Sequence, residues 1–172
     1  MISNYYSGFS LENEKEIFND YIIENDFAVS GFSYGAIKAF EEVLNSSKRV
    51  DLLQLFSPAF FQTQDKKFKR MQLMFFNKNA DEYCKNFLEN IAYPSTINMN
   101  DYFKEGSYEE LDELLNYVWD EEKLQALVDR GTKIEIYLGS EDKIIDSNKA
   151  KDFFVKYATI YYIKNVGHIL NK

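Results

Sequence analysis

One serine in the sequence stands in a pattern that suits a nucleophile. Residues 31–35 read Gly-Phe-Ser-Tyr-Gly, which has the form G-x-S-x-G, and they join a short apolar run to a helical pattern. At a strand-to-helix turn of this kind the serine backbone is strained and its neighbours must be small, so glycine on both sides is expected. The hydroxyl of Ser33 would then lie above the sheet, at the positive end of the following helix. The pattern predicts Ser33 as a nucleophile; the alternative is a simple tight turn.

A serine needs a base to take its proton, and the chain contains one histidine. His168 follows the last predicted strand, and Gly167 before it suits a loop that bends the ring back over the sheet edge. The third member of such a set is a carboxylate that accepts the imidazole Nδ1–H and fixes the tautomer. Asp142, just after the penultimate predicted strand, is the expected acid. Glu141 and Asp146 are competing carboxylates in the same loop.

Acyl transfer also requires backbone N–H groups that stabilise an oxyanion. The N–H of Tyr34 is one expected donor because it follows the nucleophile directly. The second is expected in the loop after the first strand, where Gly8 permits a close backbone approach and Phe9 offers its N–H. An ordinary strand-to-helix turn is the alternative interpretation of Gly8.

The elements that must position these residues follow from the apolar periodicity. Five runs are predicted as strands: Ile2–Tyr6, 27–32, Val50–Phe56, 133–138 and 159–163. Helical spacing is found at 11–24, 34–45, 66–77, 81–91, 108–118, 121–129 and 147–157. Strand, helix and strand at these spacings indicate parallel βαβ units. We predict a single α/β domain over residues 1–172, with a mostly parallel sheet of about five strands and a helical lid inserted at about 58–130.

The composition narrows the possible functions. One cysteine and one histidine exclude a disulfide framework and metal sites built from several thiolates or imidazoles. A net charge of −8 argues against general nucleic-acid binding. No apolar stretch is long enough to span a membrane and no signal peptide opens the chain, so we expect a cytoplasmic protein without a membrane partner.

Taken together, these motifs resemble those of a truncated α/β-hydrolase. The segments SGFS (7–10), GFSYGA (31–36), LFSPAF (55–60), LGSEDKI (138–144) and VGH (166–168) extend over the whole chain. The order Ser33, Asp142, His168 is also the order in those enzymes. The fold usually has eight strands, whereas this sequence lacks the first two of the usual set. The combination is similar to the short pimeloyl-[acyl-carrier protein] methyl ester esterases of biotin synthesis, the BioV type.

The resemblance implies one reaction, the hydrolysis of pimeloyl-[acyl-carrier protein] methyl ester to pimeloyl-[acyl-carrier protein] and methanol. It implies no cofactor and no metal. Many α/β-hydrolases have His-Gly before the oxyanion residue, whereas this chain has Ser7-Gly8, so the backbone donor is kept without support from a histidine side chain. The implied nucleophile, base, acid and two amide donors are Ser33, His168, Asp142, Phe9 and Tyr34.

A basic helix is the expected docking site for the carrier protein that the resemblance implies. Carrier proteins are acidic and this chain is acidic as well, so docking requires a local basic patch. One face of the helix at 66–77 carries Lys66, Lys67, Lys69 and Arg70, with Phe68, Met71 and Phe75 opposite as the expected roof of an acyl tunnel. A solvated lid helix is the alternative. Further lining, or else lid core, is expected from Phe60, Phe76, Tyr83 and Phe87.

Three other functions remain open from the sequence. An acyl thioesterase and a general small-ester carboxylesterase would use the same residues, because all of them proceed through an acyl-enzyme. A non-catalytic, hydrolase-like binding protein is conceivable because strands are missing. Retention of Ser33, Asp142 and His168 together argues against a binding protein, which does not need all three.

Overall fold

A parallel sheet of five strands forms the centre of the computed structural model, which describes residues 3–172. The strands are β1 (Tyr5–Tyr6), β2 (Ala28–Phe32), β3 (Leu52–Phe56), β4 (Lys133–Gly139) and β5 (Thr159–Ile163). They lie side by side in chain order, and each neighbouring pair is parallel. The predicted α/β class and the number of strands are therefore confirmed. Ile2, where the first strand was predicted to begin, lies outside the described residues.

Six α-helices connect the strands. Helix α1 (Tyr34–Asn45) joins β2 to β3, and α6 (Ser147–Phe154) joins β4 to β5. Between β3 and β4 lie α2 (Lys66–Lys78), α3 (Ala80–Ala92), α4 (Tyr108–Asn116) and α5 (Glu121–Asp129), which we call the helical insertion. Each helix of the insertion begins after a polar residue whose side chain accepts a backbone N–H of the first turn. These residues are Asp65, Asn79, Ser107 and Asp120.

Alternation along the strands produces two apolar layers, one on each face of the sheet. In β3, Leu53 and Leu55 pack in the layer that contains α1, α4 and α5, while Phe56 packs in the opposite layer with Phe18. Side chains that alternate across a strand account for this division. Because the five strands are parallel, their carboxyl ends lie at one edge of the sheet, where the loops that follow β1, β2, β3 and β4 come together.

The helix predicted over residues 11–24 is not formed. A short 3₁₀-helix covers only Glu14–Phe18. Leu11 instead forms an isolated antiparallel bridge with Phe103, and Asn13 takes a left-handed conformation with φ 63°. The helical spacing of apolar residues in this segment reflects burial against the sheet. Glu14, within this 3₁₀-helix, is fully buried.

Candidate active site

Ser33 lies at the sharp turn between β2 and α1. Its φ of 54° and ψ of −114° fall outside the regions that L-residues favour. Three backbone hydrogen bonds fix this conformation: the Ser33 N–H donates to Phe56 O at 2.9 Å, and the Ser33 carbonyl accepts from Ala36 and Ala59, both at 3.1 Å. Strain of this kind persists only where the surrounding structure enforces it, and it is concentrated at functional sites.

Close packing explains why glycine is required on both sides of this serine. A Cβ on Gly31 would lie 2.7 Å from the carbonyl carbon of Gly35 and 2.9 Å from Cα of Ala36. A Cβ on Gly35 would lie 2.5 Å from the carbonyl oxygen of Ser7. All three contacts are with backbone, which cannot move aside as a flexible side chain can. The G-x-S-x-G pattern is thus needed for α1 to begin directly against the ends of β1 and β2.

The three residues predicted as nucleophile, base and acid form one hydrogen-bonded row. His168 Nε2 lies 2.9 Å from Ser33 Oγ, and His168 Nδ1 lies 2.7 Å from Asp142 Oδ2. The side chains of His168 and Asp142 are fully buried. With the Nδ1 proton held by the carboxylate, Nε2 is the ring atom that can accept the proton of the Ser33 hydroxyl.

Asp142 is the acid in this arrangement, and neither of the two competing carboxylates takes that place. Its Oδ1 accepts the N–H groups of Ile144 and Ile145, at 2.7 and 3.0 Å, which leaves Oδ2 for the imidazole. Asp146 instead caps α6 by accepting the N–H of Lys149. Glu141 is exposed, and its carboxylate is paired with the hydroxyl of Ser140.

Two contacts that the sequence did not indicate hold the histidine loop. Ser57 Oγ donates a hydrogen bond of 2.6 Å to the backbone carbonyl of His168. A Cβ on Gly167 would collide with the carbonyl oxygen of Tyr93, at the end of α3. Ser57 had appeared only as part of the LFSPAF segment, and nothing local marked Tyr93, because both contacts join residues far apart in the chain.

The two predicted oxyanion donors are Tyr34, directly after the nucleophile, and Phe9, in the loop after β1. Phe9 is buried and borders the same cavity as Ser33, while Tyr34 is the first residue of α1. Among residues 3–172 neither amide donates a hydrogen bond to another protein group.

The side chain of Tyr34 has a different partner: its hydroxyl donates to Glu113 Oε2 at 2.8 Å. Burial is the main cause, and this hydrogen bond the second, that raises the pKa of the Tyr34 hydroxyl well above its usual value.

A cavity of about 530 Å³ extends from Ser33 between α2, α3 and α4. Its lining combines apolar side chains, among them Phe9, Phe61 and Leu115, with polar side chains of α2 and α3. Of the predicted lining residues, Phe68, Phe75, Tyr83 and Phe87 border it. Phe60 and Phe76 belong to the apolar core instead. The placement of Met71 in the tunnel roof was wrong, because this side chain faces solvent with 38% of its surface exposed.

The basic residues of α2 lie on the outside of the helical insertion. Lys66, Lys67 and Arg70 are exposed, and Lys69 is partly buried. Within the described part of the chain none of the four forms a salt bridge, although eight salt bridges are found elsewhere in it. Their charge is therefore available to an acidic partner.

Within residues 3–172, no group of three or more histidine, cysteine, aspartate or glutamate side chains is arranged to hold a metal ion. No helix in that range has the length and apolar character needed to cross a membrane. Cys84 is buried beside Ser10 Oγ, at 3.7 Å, and burial raises the pKa of its thiol, as expected for a packing residue.

Comparison with known proteins gives structural matches only. No protein-family model and no curated protein matches the sequence. An esterase from Exiguobacterium antarcticum is 16% identical and has a TM-score of 0.61; the match covers 81% of this chain and 59% of the esterase. The chain spans only a little over half the length of this and other longer hydrolases that it matches, between 53% and 59%.

Two shorter proteins match over most of their length. MenH from S. aureus is 10% identical with a TM-score of 0.59, and the match covers 99% of this chain and 90% of MenH. BioG from Haemophilus influenzae is 15% identical with a TM-score of 0.56, and the match covers 96% of this chain and 87% of BioG. Identities this low establish the fold alone. The five-stranded parallel sheet and these matches show that the chain has a truncated α/β-hydrolase fold.

Proposed function

We propose that this protein is a serine carboxylesterase that works through an acyl-enzyme. The observation that carries the proposal is the row of hydrogen bonds from Asp142 through His168 to Ser33, which ends at a cavity of about 530 Å³. The strained turn at Ser33 presents its hydroxyl to this cavity, and the N-terminal end of α1 lies directly behind it. A turn that served only to reverse the chain would not need a buried imidazole hydrogen-bonded to its serine and a buried carboxylate hydrogen-bonded to that imidazole.

The reaction follows from this geometry. His168 Nε2 takes the proton of Ser33 as Oγ attacks the ester carbonyl, and Asp142 stabilises the imidazolium that forms. The N–H groups of Phe9 and Tyr34 would donate to the oxyanion of the tetrahedral intermediate. His168 then gives its proton to the leaving alcohol, which departs and leaves an ester between Ser33 and the acyl group. Water activated by His168 hydrolyses that ester and restores the free serine.

The proposed substrate is the methyl ester of pimeloyl-[acyl-carrier protein], which would yield pimeloyl-[acyl-carrier protein] and methanol. The resemblance of the motifs to the short esterases of biotin synthesis supports this choice. A cavity of about 530 Å³ that contains several aromatic and leucine side chains suits a methyl ester on an aliphatic chain, since the ester masks one carboxylate. The match with BioG, which covers 87% of that protein, is in keeping with this choice.

The direct test incubates the wild type and Ser33→Ala with methyl-pimeloyl-[acyl-carrier protein] and follows the intact mass of the carrier. We expect the wild type to remove one CH₂ in mass, as methyl is replaced by hydrogen, while the thioester survives and Ser33→Ala has no activity. Release of the free carrier protein would instead identify an acyl thioesterase, the second candidate. If p-nitrophenyl esters were cleaved and the carrier-bound ester were not, the esterase would stand and the substrate would be wrong.

We further propose that the basic residues of α2 dock the acidic carrier protein. Lys66→Glu and Arg70→Glu should each raise KM for the carrier-bound substrate by roughly three- to tenfold and leave p-nitrophenyl ester hydrolysis unchanged, because they alter encounter and not chemistry. Lys67 and Lys69 belong to the same patch. Lys48→Glu is a matched control, since Lys48 is exposed near the opposite edge of the sheet, before β3. Equal losses on both substrates, or an equal effect of Lys48→Glu, would contradict docking at α2.

A further inference from the structure

A buried carboxylate that the proposed reaction does not use lies beneath the loop after β1. Glu14 has no solvent exposure, and its Oε1 accepts hydrogen bonds from the Gly8 N–H at 2.9 Å and from the Tyr5 hydroxyl at 3.0 Å. Its Oε2 is buried without a hydrogen-bond partner in the described part of the chain. A carboxylate oxygen buried in this way costs free energy of folding. Stability alone is therefore a poor reason for a glutamate at this position.

The bond from Gly8 to Glu14 bears on the direction of the neighbouring amide. The N–H of Gly8 is held by Glu14, and the carbonyl of Gly8 accepts the N–H of Leu11 at 3.3 Å. That carbonyl and the N–H of Phe9 belong to one planar trans peptide unit and point in opposite directions. Holding Gly8 at both of its polar groups thus fixes where the Phe9 N–H points.

We infer that Glu14 is a positioning residue, whose carboxylate holds the Ser7–Gly8 peptide and with it the turn at Gly8 that directs the Phe9 N–H at the oxyanion. This inference rests on the proposed serine esterase mechanism, in which Phe9 is one of two oxyanion donors. Glu14 itself needs no contact with the substrate, because it acts through the backbone of Gly8.

Tyr5 supports the same carboxylate from β1. Burial, with the neighbouring Glu14 as a second cause, holds the pKa of the Tyr5 hydroxyl well above its usual value, so the phenol stays protonated and remains a donor. Removing this donor would leave the bond from Gly8 to Glu14 in place. Tyr5→Phe is consequently the control that separates general packing around Glu14 from the one bond to the loop.

The test uses four variants of the full chain: Glu14→Gln, Glu14→Leu, Glu14→Asp and Tyr5→Phe. Glutamine keeps a carbonyl oxygen that can accept the Gly8 N–H, and leucine keeps a similar volume without an acceptor. Aspartate keeps a carboxylate on a side chain that is one methylene shorter, so the carboxylate lies farther from the Gly8 N–H. The loss of a whole oxyanion donor costs about 10²- to 10³-fold in kcat. We expect Glu14→Leu and Glu14→Asp to lower kcat on a p-nitrophenyl ester by about 10- to 100-fold with little change in KM. Glu14→Gln and Tyr5→Phe should stay close to the wild type.

A second measurement distinguishes positioning from loss of structure. A boronic acid forms a tetrahedral adduct on Ser33 with an oxygen in the oxyanion position, so its affinity should fall in parallel with kcat in Glu14→Leu and Glu14→Asp. Glu14→Asp keeps the test valid if the leucine variant fails to fold, as monitored by circular dichroism. Folded variants with wild-type kcat and boronate affinity would overturn the inference while leaving the esterase intact. Losses in all four variants that follow their melting temperatures would overturn it as well. A wild type that neither cleaves esters nor binds the boronate would overturn both proposals.

Discussion

Replacing Asp142 by asparagine should abolish most of the activity without disturbing the fold. In the wild type Oδ1 accepts two loop N–H groups, from Ile144 and Ile145, and Oδ2 accepts the Nδ1–H of His168. An asparagine has one oxygen to serve both sides. If the oxygen faces the loop, two hydrogen bonds are kept and the NH₂ group faces the imidazole.

The orientation of that amide determines the size of the effect. Each loop hydrogen bond is worth about 1 kcal/mol, so keeping two of them outweighs keeping the one to His168. With an NH₂ group opposite, Nδ1 must be the unprotonated nitrogen and Nε2 must carry the proton. Nε2 then donates to Ser33 Oγ and cannot take its proton. The loss expected for the wrong tautomer is about 10⁴-fold in kcat, or about 5.4 kcal/mol of transition-state stabilisation.

The assay compares kcat on a p-nitrophenyl ester with the melting temperature for three variants. Asp142→Asn should lose about 10⁴-fold in kcat while its melting temperature stays close to the wild type. Glu141→Gln and Asp146→Asn, the same change of carboxylate to amide in the same loop, should keep wild-type rates, since Glu141 is exposed and asparagine is as good a helix cap as aspartate. More than a tenth of wild-type kcat in Asp142→Asn, or an equal loss in either control, would refute the reasoning.

Two further predictions concern packing and ionisation. Gly35→Ala should lower the free energy of unfolding in urea by more than about 3 kcal/mol, because the new Cβ would lie 2.5 Å from the Ser7 carbonyl oxygen. The control is Gly131→Ala, which should cost only about 1–2 kcal/mol, because Gly131 has a φ of 88° but open space around the Cβ position. Equal losses in the two variants would contradict the packing argument. Burial raises the pKa of Tyr34 and Tyr137 in the folded state, so their contribution to stability is complete below about pH 10, where unfolded tyrosine ionises, and falls as the pH rises further. When urea unfolding is measured between pH 8 and 12, the free energy of unfolding should fall less with rising pH in Tyr137→Phe than in the wild type. The same pH dependence in both proteins would contradict a raised pKa of Tyr137 as a cause of the decline.

The elements that surround the site could be predicted because their signals are local. Apolar runs between turn residues located all five strands, and the apolar stripe of α1 gave its bounds at Tyr34 and Asn45. The serine turn was recognisable for the same reason, since the glycines that its packing requires are two residues away on each side. The sequence favoured Asp142 as the acid but left Glu141 and Asp146 open as competitors, because these three carboxylates of one loop are separated by their surroundings in the fold.

What could not be predicted depends on contacts between distant parts of the chain. The sequence pointed to no role for Glu14, since only the fold brings it beneath Gly8. Met71 was placed in the cavity from its helical position, yet α2 turns only a narrow stripe inward and leaves this side chain in solvent. The support of His168 by Ser57 joins residues on either side of the helical insertion and leaves no pattern in the sequence.

The most direct measurement of the central claim is covalent labelling of the folded protein with a fluorophosphonate, followed by peptide mapping by mass spectrometry. We predict a single phosphonyl adduct on Ser33 in the wild type, none in Ser33→Ala, and a much slower reaction in Asp142→Asn. An unlabelled wild type, or an adduct on another serine such as Ser57 that persists in Ser33→Ala, would contradict the assignment of Ser33 as the nucleophile.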